Sequence, residues 1–204
     1  FRPPIRLTLT AEASSANLKG TAGFGFWNHP FSPTDSQLSL PQALWFFFSS
    51  SDSNMALAKN VQGYGWKAST FNAKQLAFYS LLPTVPLAIP LMNIRPVYDA
   101  LWSIGQKAIG VNETLLDSHL LTEKHTYQID WLPDEAIFRV DDEIVLHTRD
   151  RIPNKALGFV AWLDNQYAIV TPQGRFGFGF VKSAEEQRLI LHEVKIEMGV
   201  HNHT

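Results

Sequence analysis

The 204-residue sequence predicts an all-β sandwich, on three observations. Apolar and polar residues alternate through several segments, which is typical of half-buried strands. Between His125 and His147 the alternation continues on both sides of a Pro133–Glu135 turn, and a second tight turn follows at Asp141 and Asp142. The 45% of hydrophobic residues can fill a sizeable core. Sandwiches of this length commonly form one domain, here residues 1–204.

Further strands are predicted along the chain, and each shows the same period of two. They cover Ile5–Glu12, Thr21–Trp27, Ala43–Ser49, Ala156–Leu163, Gln166–Val170 and Leu189–Glu197, the last with an irregularity at His192 and Glu193. Two segments, Gly23–Trp27 and Phe176–Phe180, alternate Phe with Gly. We expect their Phe side chains to point inward, so that the glycines leave a bare sheet surface on which a ligand can lie.

One segment departs from a plain sandwich. Residues Leu76–Ile94 carry no formal charge, but Pro83, Pro86 and Pro90 disfavour a helix that crosses a bilayer. Helical spacing of apolar residues then predicts an amphipathic helix over Arg95–Ile109, ending at Gly110. We expect residues 75–110 to form an inserted, largely helical or irregular element around the sandwich.

Two roles are open for this insert. It could cap the sandwich and complete its core. Alternatively, residues 76–109 could rest in a membrane interface or bind a lipid-like molecule, although only Arg95 and Lys107 supply positive charge in or next to the helix.

Composition excludes several classes of function. The net charge of -2 and the pI near 6.4 give no electrostatic footprint for nucleic acid. Without Cys there is no disulfide framework, thiolate nucleophile or Cys-ligated metal, and no Gly-x-Ser-x-Gly elbow indicates a serine hydrolase. The seven His are scattered apart from His201 and His203 near the C-terminal end. We therefore predict no cofactor; a structural calcium ion held by carbonyl and Asp oxygens would leave little trace in the sequence.

The hairpin segment His125–His147 resembles one found in the concanavalin A-like lectin/glucanase superfamily, including glycoside hydrolase family 16. Leu40–Trp45 is similar to the family's Trp-Pro-Ala-x-Trp strand without the first Trp, and Ala156–Trp162 to the strand that crosses its concave sheet. The resemblance implies a concanavalin A-like jelly roll. It also implies a Glu-x-Asp-x-x-Glu strand, but the matching stretch, Ser53–Asn60, has no carboxylate, and neither has any residue from Ser53 to Tyr98. The family's mechanism, which needs two carboxyl groups ~5 Å apart, therefore does not transfer.

A polar cluster follows Trp162 and gives the best candidate site. Asp164, Asn165 and Gln166 could hydrogen-bond sugar hydroxyls while an aromatic face packs on the ring. The same residues could equally form an ordinary turn between two strands.

Other tryptophans could join this cluster. Trp27 and Asn28 end the first Phe/Gly strand and could meet it at one end of the sheet, although Trp27 could also belong to the core. Trp66 follows a Gly-flanked stretch, where aromatic residues often face a ligand from a loop. Trp45, inside an apolar run, is expected in the core.

The sequence thus predicts a non-catalytic ligand-binding module whose partner is a glycan or another small amphiphilic ligand. Its candidate site residues are Trp27, Asn28, Trp66, Trp162, Asp164, Asn165 and Gln166. One alternative is a glycosidase or lyase that uses Asp164 and His29, and another is a lipid- or membrane-associated protein that acts through residues 76–109. The chain begins at Phe1 without an initiator Met, which is compatible with a removed leader or anchor but gives no address. An extracytoplasmic or cell-surface location is slightly favoured.

Overall fold

Two antiparallel five-stranded sheets pack face to face in the computed structural model, which describes residues 1–28, 40–73 and 76–200. In spatial order, the back sheet contains β12 (Leu189–Met198), β1 (Ile5–Ala13), β6 (His125–Trp131), β7 (Ala136–Val140) and β8 (Glu143–Thr148). The front sheet contains β5 (Val111–Leu116), β4 (Gly65–Asn72), β3 (Gln42–Ser49), β2 (Thr21–Trp27) and β9 (Gly158–Asp164). The predicted all-β jelly-roll sandwich is confirmed.

A separate hairpin and a helical insert complete the described chain. The hairpin pairs β10 (Gln166–Val170) with β11 (Phe176–Phe180). The insert contains α1 (Leu76–Leu81), a 3-10 helix (Leu82–Thr84), α2 (Val85–Leu91) and α3 (Arg95–Ile109). Gly110 ends α3 in the left-handed conformation, with φ 62° and ψ 42°, which glycine adopts without steric cost. The insert and its amphipathic helix are confirmed, although Gln75 lies outside the described residues.

The hairpin segment that starts at His125 folds as predicted. Leu132 N donates to Glu135 O across the first turn, and the second turn places Asp141 and Asp142 at φ 48° and 71°. Two consecutive positive φ values are typical of the turn that joins twisted antiparallel strands. The irregularity in the closing strand is also present, because the β1–β12 pairing skips His192.

Two strands of the front sheet, β4 and β5, were absent from the sequence prediction. β4 is mostly buried on both faces, so its polar residues do not mark an exposed face that alternates with a buried one. β5 is a short edge strand with a polar middle. Neither therefore shows the period-two pattern by which half-buried strands are recognised.

Aromatic side chains from both sheets fill the core between them. The Phe46 ring lies 4.9 Å from the Tyr127 ring, 5.4 Å from Phe138 and 5.9 Å from Trp66, measured between centroids. Trp66 is 0% exposed, and its register partner Phe48 also faces the core. The prediction that Trp66 faces a ligand is wrong, because the strand already begins at Gly65 and its first inward position is Trp66. Tyr64 of the same stretch is exposed instead.

The core forms without the insert. No residue of 76–110 belongs to the main hydrophobic cluster, and α1 and α2 bury none of their side chains. The insert therefore adds no residue to the core between the two sheets, although its Met92 and Ala108 are buried and Gly110 O accepts a hydrogen bond from Asn72 N of β4. Among the described helices, none is long and apolar enough to cross a membrane.

Truncating Trp66 tests its core position. We expect Trp66→Ala to lower the free energy of unfolding by about 3–5 kcal/mol, because a large fully buried side chain leaves a cavity. Denaturant-induced unfolding measures this loss. Tyr79→Ala, which truncates a half-exposed ring in the insert, is the matched control and should change stability by at most about 0.5 kcal/mol. Equal stability of the two variants would contradict the placement of Trp66.

Candidate functional site

The outer face of the front sheet, directed away from the core, carries a group of aromatic side chains. Trp45 and Phe47 of β3 alternate with the core residues Phe46 and Phe48. Their register partners on β2 are Gly25 and Gly23, and Gly23 also pairs with Trp162 of β9. We call this group the aromatic patch; its members are Trp27, Trp45, Phe47 and Trp162.

The four rings form one continuous surface. Trp45 lies at its centre, with ring centroids 5.4 Å from Phe47, 5.4 Å from Trp162 and 5.7 Å from Trp27. Phe47 and Trp162 are 5.9 Å apart. Each of the four side chains is half-buried, so part of each remains accessible to solvent. The patch is therefore a partly exposed aromatic surface on a rigid sheet.

The glycines of β2 make room for this patch. A Cβ atom on Gly23 would lie 2.6 Å from the Trp162 ring, and one on Gly25 would lie 2.6 Å from the Cα of Trp45. The Phe residues of β2 do point inward, as predicted, but the glycine face is not bare. It is occupied by the neighbouring indoles.

The second Phe/Gly strand, β11, has the opposite orientation to the one predicted. Phe176, Phe178 and Phe180 are 77%, 78% and 74% exposed. Gly177 and Gly179 share the other side of the hairpin with Ile169 and Tyr167. Because the hairpin lies outside both sheets, alternation alone could not show which of its faces is covered.

A buried ion pair lies on the same outer face, beside the patch. Lys67 Nζ lies 3.1 Å from Glu113 Oε2, and Ser69 Oγ donates to Glu113 Oε1 at 3.3 Å. The side chains of Lys67 and Glu113 are only 2% and 12% exposed. Burial raises the pKa of Glu113, and this effect exceeds the opposing effect of Lys67.

The loop 50–64, between β3 and β4, is hydrogen-bonded to its neighbours on both sides. Its Leu57 carbonyl accepts a hydrogen bond from Trp102 Nε1 of α3, and its Lys59 amide donates to Gln106 Oε1. On its other side, Asn54 N donates to Ala168 O of β10. The loop thus joins α3 to the hairpin.

The predicted polar cluster is largely used in local hydrogen bonds. Asp164 Oδ1 accepts from Thr21 Oγ1 at 2.9 Å and from Gln166 N at 3.0 Å. Trp162 Nε1 donates to the same Thr21 hydroxyl at 3.0 Å. Asn165 exchanges hydrogen bonds with the main chain of Val181 and holds the end of the hairpin. Asp164 and Asn165 therefore have the structural role expected of a turn between two strands.

The remaining candidate residues do not lie together in one site. Asn28 Nδ2 donates to Leu40 O, and its Oδ1 accepts from Gln42 N, so that it links the end of β2 to the start of β3. The Gln166 side chain is exposed at the start of β10. Trp27 and Trp162 share the aromatic patch. His29, together with His201 and His203, lies outside the described residues.

The patch also contains residues that the sequence did not predict. Trp45 was expected in the core, and Phe47 was not considered. Four consecutive aromatic residues, Trp45–Phe48, contain no signal that tells one face from the other. The glycines of β2 were the available signal for the outward face, because the large side chains that lie opposite them on β3 need the space that a glycine leaves.

Within the described strands of the front sheet, the outward carboxylates are Glu113 and Asp164, which lie far apart. Glu113 is on β5 and Asp164 on β9, at opposite edges of the sheet. Four strand spacings of ~4.8 Å separate them by roughly 19 Å across the strands alone, whereas paired glycosidase carboxylates lie about 5–9.5 Å apart. Within the described residues, no group of three or more His, Asp or Glu is arranged to hold a metal ion.

A cavity of about 320 Å³ opens at the loop end of the sandwich. Its lining includes Ser49, Gln62, Tyr64 and Asn17. Ser49 follows Phe47 on the outer face of β3, two positions along the strand. None of the four patch residues lines this cavity, whose lining also includes the core residues Leu18 and Phe48.

Comparisons with known proteins find similarity only among solved structures. No family model matches the chain, and no curated protein matches it. A β-glucanase from Bacillus licheniformis has 13% identity and a TM-score of 0.41, over 78% of this chain and 51% of that one. A structure described as a native glycosidic hydrolase has 15% identity and a TM-score of 0.38, over 76% and 48%. The chain thus spans about half the length of these two neighbours.

Removing Lys67 tests the buried pair. We expect Lys67→Met to cost about 3–5 kcal/mol of unfolding free energy at neutral pH, because Glu113 is left charged and unpaired. A carboxyl group whose folded-state pKa exceeds its unfolded value loses stability as the pH rises through the folded-state pKa. The deficit of Lys67→Met should therefore shrink as the pH falls below neutrality.

The matched control is the double variant Lys67→Met/Glu113→Leu, which removes both charges. It should recover most of the stability, measured by denaturant titration at several pH values. A deficit that is the same at every pH, or a double variant no more stable than the single one, would show that the pair is not buried as described.

Proposed function

We propose that this protein is a non-catalytic glycan-binding module whose aromatic patch stacks against sugar rings. One observation supports the proposal above the others: three indoles and one phenyl ring form a continuous, half-buried surface on the outer face of the front sheet. The C–H face of a sugar ring packs on such surfaces, and the sheet holds the rings in place.

The dimensions of the patch favour an oligosaccharide. Trp27 of β2 lies opposite Ala43 of β3, and Phe47 is four residues farther along β3. At ~3.3 Å per residue this distance is about 13 Å, which exceeds the length of a single sugar ring.

We extend the proposal to membership of the concanavalin A-like superfamily, as a relative of glycoside hydrolase family 16 without its catalytic strand. The similar strand, Leu40–Trp45, ends at the central residue of the aromatic patch. The separation of Glu113 and Asp164, roughly 19 Å across the strands alone, supports binding without hydrolysis. A glycan ligand is also compatible with an extracytoplasmic or cell-surface location.

Affinity electrophoresis in gels that contain laminarin or lichenan tests this proposal. The wild-type protein should be retarded by at least one of these polysaccharides. Trp45→Ala should weaken binding about fivefold or more, because stacking on an aromatic ring is worth of the order of 1 kcal/mol. Calorimetry with the matching oligosaccharide gives Kd directly.

Tyr79→Ala is the control, because it removes a half-exposed ring far from the patch in sequence and on the insert. It should bind as the wild type does. Thermal unfolding of both variants separates lost binding from lost fold. Unchanged affinity in a folded Trp45→Ala variant, or sugar release that depends on Glu113 or Asp164, would contradict the proposal.

A further inference from the structure

We propose that the insert and the β10–β11 hairpin together form a surface that docks on an anionic lipid bilayer. This inference is independent of glycan binding, since none of the residues that carry it belongs to the aromatic patch.

The insert supplies the larger part of this surface. Leu76 and Leu87 are 85% and 71% exposed. The other exposed large apolar side chains of the insert are Tyr79, Leu82, Val85, Ile89, Leu91, Ile94, Leu101 and Ile104. Soluble monomers rarely expose so many neighbouring apolar side chains, and such patches mark interaction sites.

The hairpin extends the same surface. Its three phenylalanines are each about three-quarters exposed and lie along one face of β11. Asn93 Nδ2 of the insert donates to Gln173 O at the hairpin tip. A Cβ atom on Gly174 would lie only 2.4 Å from Ile89 Cγ2, so α2 packs directly on that tip. We call the combined surface the docking surface.

Charge on the docking surface indicates a lipid partner. Residues 76–109 and 165–184 contain four cationic side chains, Arg95, Lys107, Arg175 and Lys182, and one acidic side chain, Asp99, which lies 3.8 Å from Arg95. Apolar side chains in the acyl boundary with cations at the headgroups are the arrangement of proteins that lie in a membrane interface. A second copy of the chain is disfavoured, because a two-fold contact would bring identical cations together.

The backbone of the insert also fits an interfacial position. α1 and α2 have six and seven residues, and α2 contains Pro90. Neither helix approaches the ~20 residues that a membrane span requires. The side chains can therefore enter the headgroup and acyl boundary while the sandwich stays in water.

Flotation with lipid vesicles tests the docking surface. We use vesicles of phosphatidylcholine alone and of phosphatidylcholine with phosphatidylglycerol. Wild-type protein should float with the anionic vesicles, and added salt should weaken that binding because it screens the cations. The triple variant Phe176→Ser/Phe178→Ser/Phe180→Ser should lower the partition coefficient at least about tenfold.

A matched triple variant controls for general loss of apolar surface. Ile144→Ser/Val194→Ser/Met198→Ser changes three exposed apolar residues of the back sheet and should partition as the wild type does. Polysaccharide retardation of the phenylalanine variant should stay at the wild-type level, which separates this proposal from the glycan proposal.

Three results would overturn the inference. The first is a wild-type protein that floats with neither kind of vesicle. The second is equal flotation of the two triple variants. The third is self-association of the wild type, seen by light scattering, that the phenylalanine variant abolishes while flotation is unchanged; the docking surface would then be an interface between copies.

Discussion

The period-two alternation of β3 is the constraint on which the rest of this structure depends. Four consecutive aromatic residues must divide between its two faces, so Phe46 and Phe48 enter the core while Trp45 and Phe47 point outward. A shift of one residue in register would exchange the two sets. The front sheet therefore has an apolar layer on each face. The inner layer binds the back sheet, and the outer layer forms the aromatic patch.

The outer face also carries a buried charge. Lys67 is buried although its position in the strand points it away from the core. A buried cation is tolerated when it is paired and hydrogen-bonded, and Glu113 and Ser69 meet that need. The aromatic half of the same face is only partly covered. One half of the face therefore buries the Lys67–Glu113 pair, whereas the aromatic side chains of the other half remain partly exposed to solvent.

Local sequence signals predicted the elements whose faces differ in exposure. The turn at Asp141 and Asp142, the bulge at His192 and the Gly110 cap of α3 each depend on a few neighbouring residues. β4 could not be predicted in this way, because both of its faces are buried. Trp66 was misplaced for the same reason, since the glycine-flanked stretch that suggested a loop is already the start of that strand.

The candidate site was only partly predictable from sequence because tertiary pairing assembles it. Trp27 and Trp162 were predicted individually, but Trp45 joins them only through the registers of β2 with β3 and β9. The phenylalanines of β11 repeat the Phe/Gly pattern of β2 with the opposite orientation, because no second sheet packs on that hairpin. The same Phe/Gly alternation therefore buries its phenylalanines in β2 and exposes them in β11, depending on which elements pack against the strand.

The indole N–H signals of the six tryptophans, observed by nuclear magnetic resonance during titration with laminarin oligosaccharides, test the central claim most directly. The outward set should respond to the sugar, so the signals of Trp27, Trp45 and Trp162 should shift. The signals of the buried Trp66 and Trp131 should stay in place. Shifts confined to other tryptophans, or no shift in any signal, would contradict the assignment of the outer face as the binding surface.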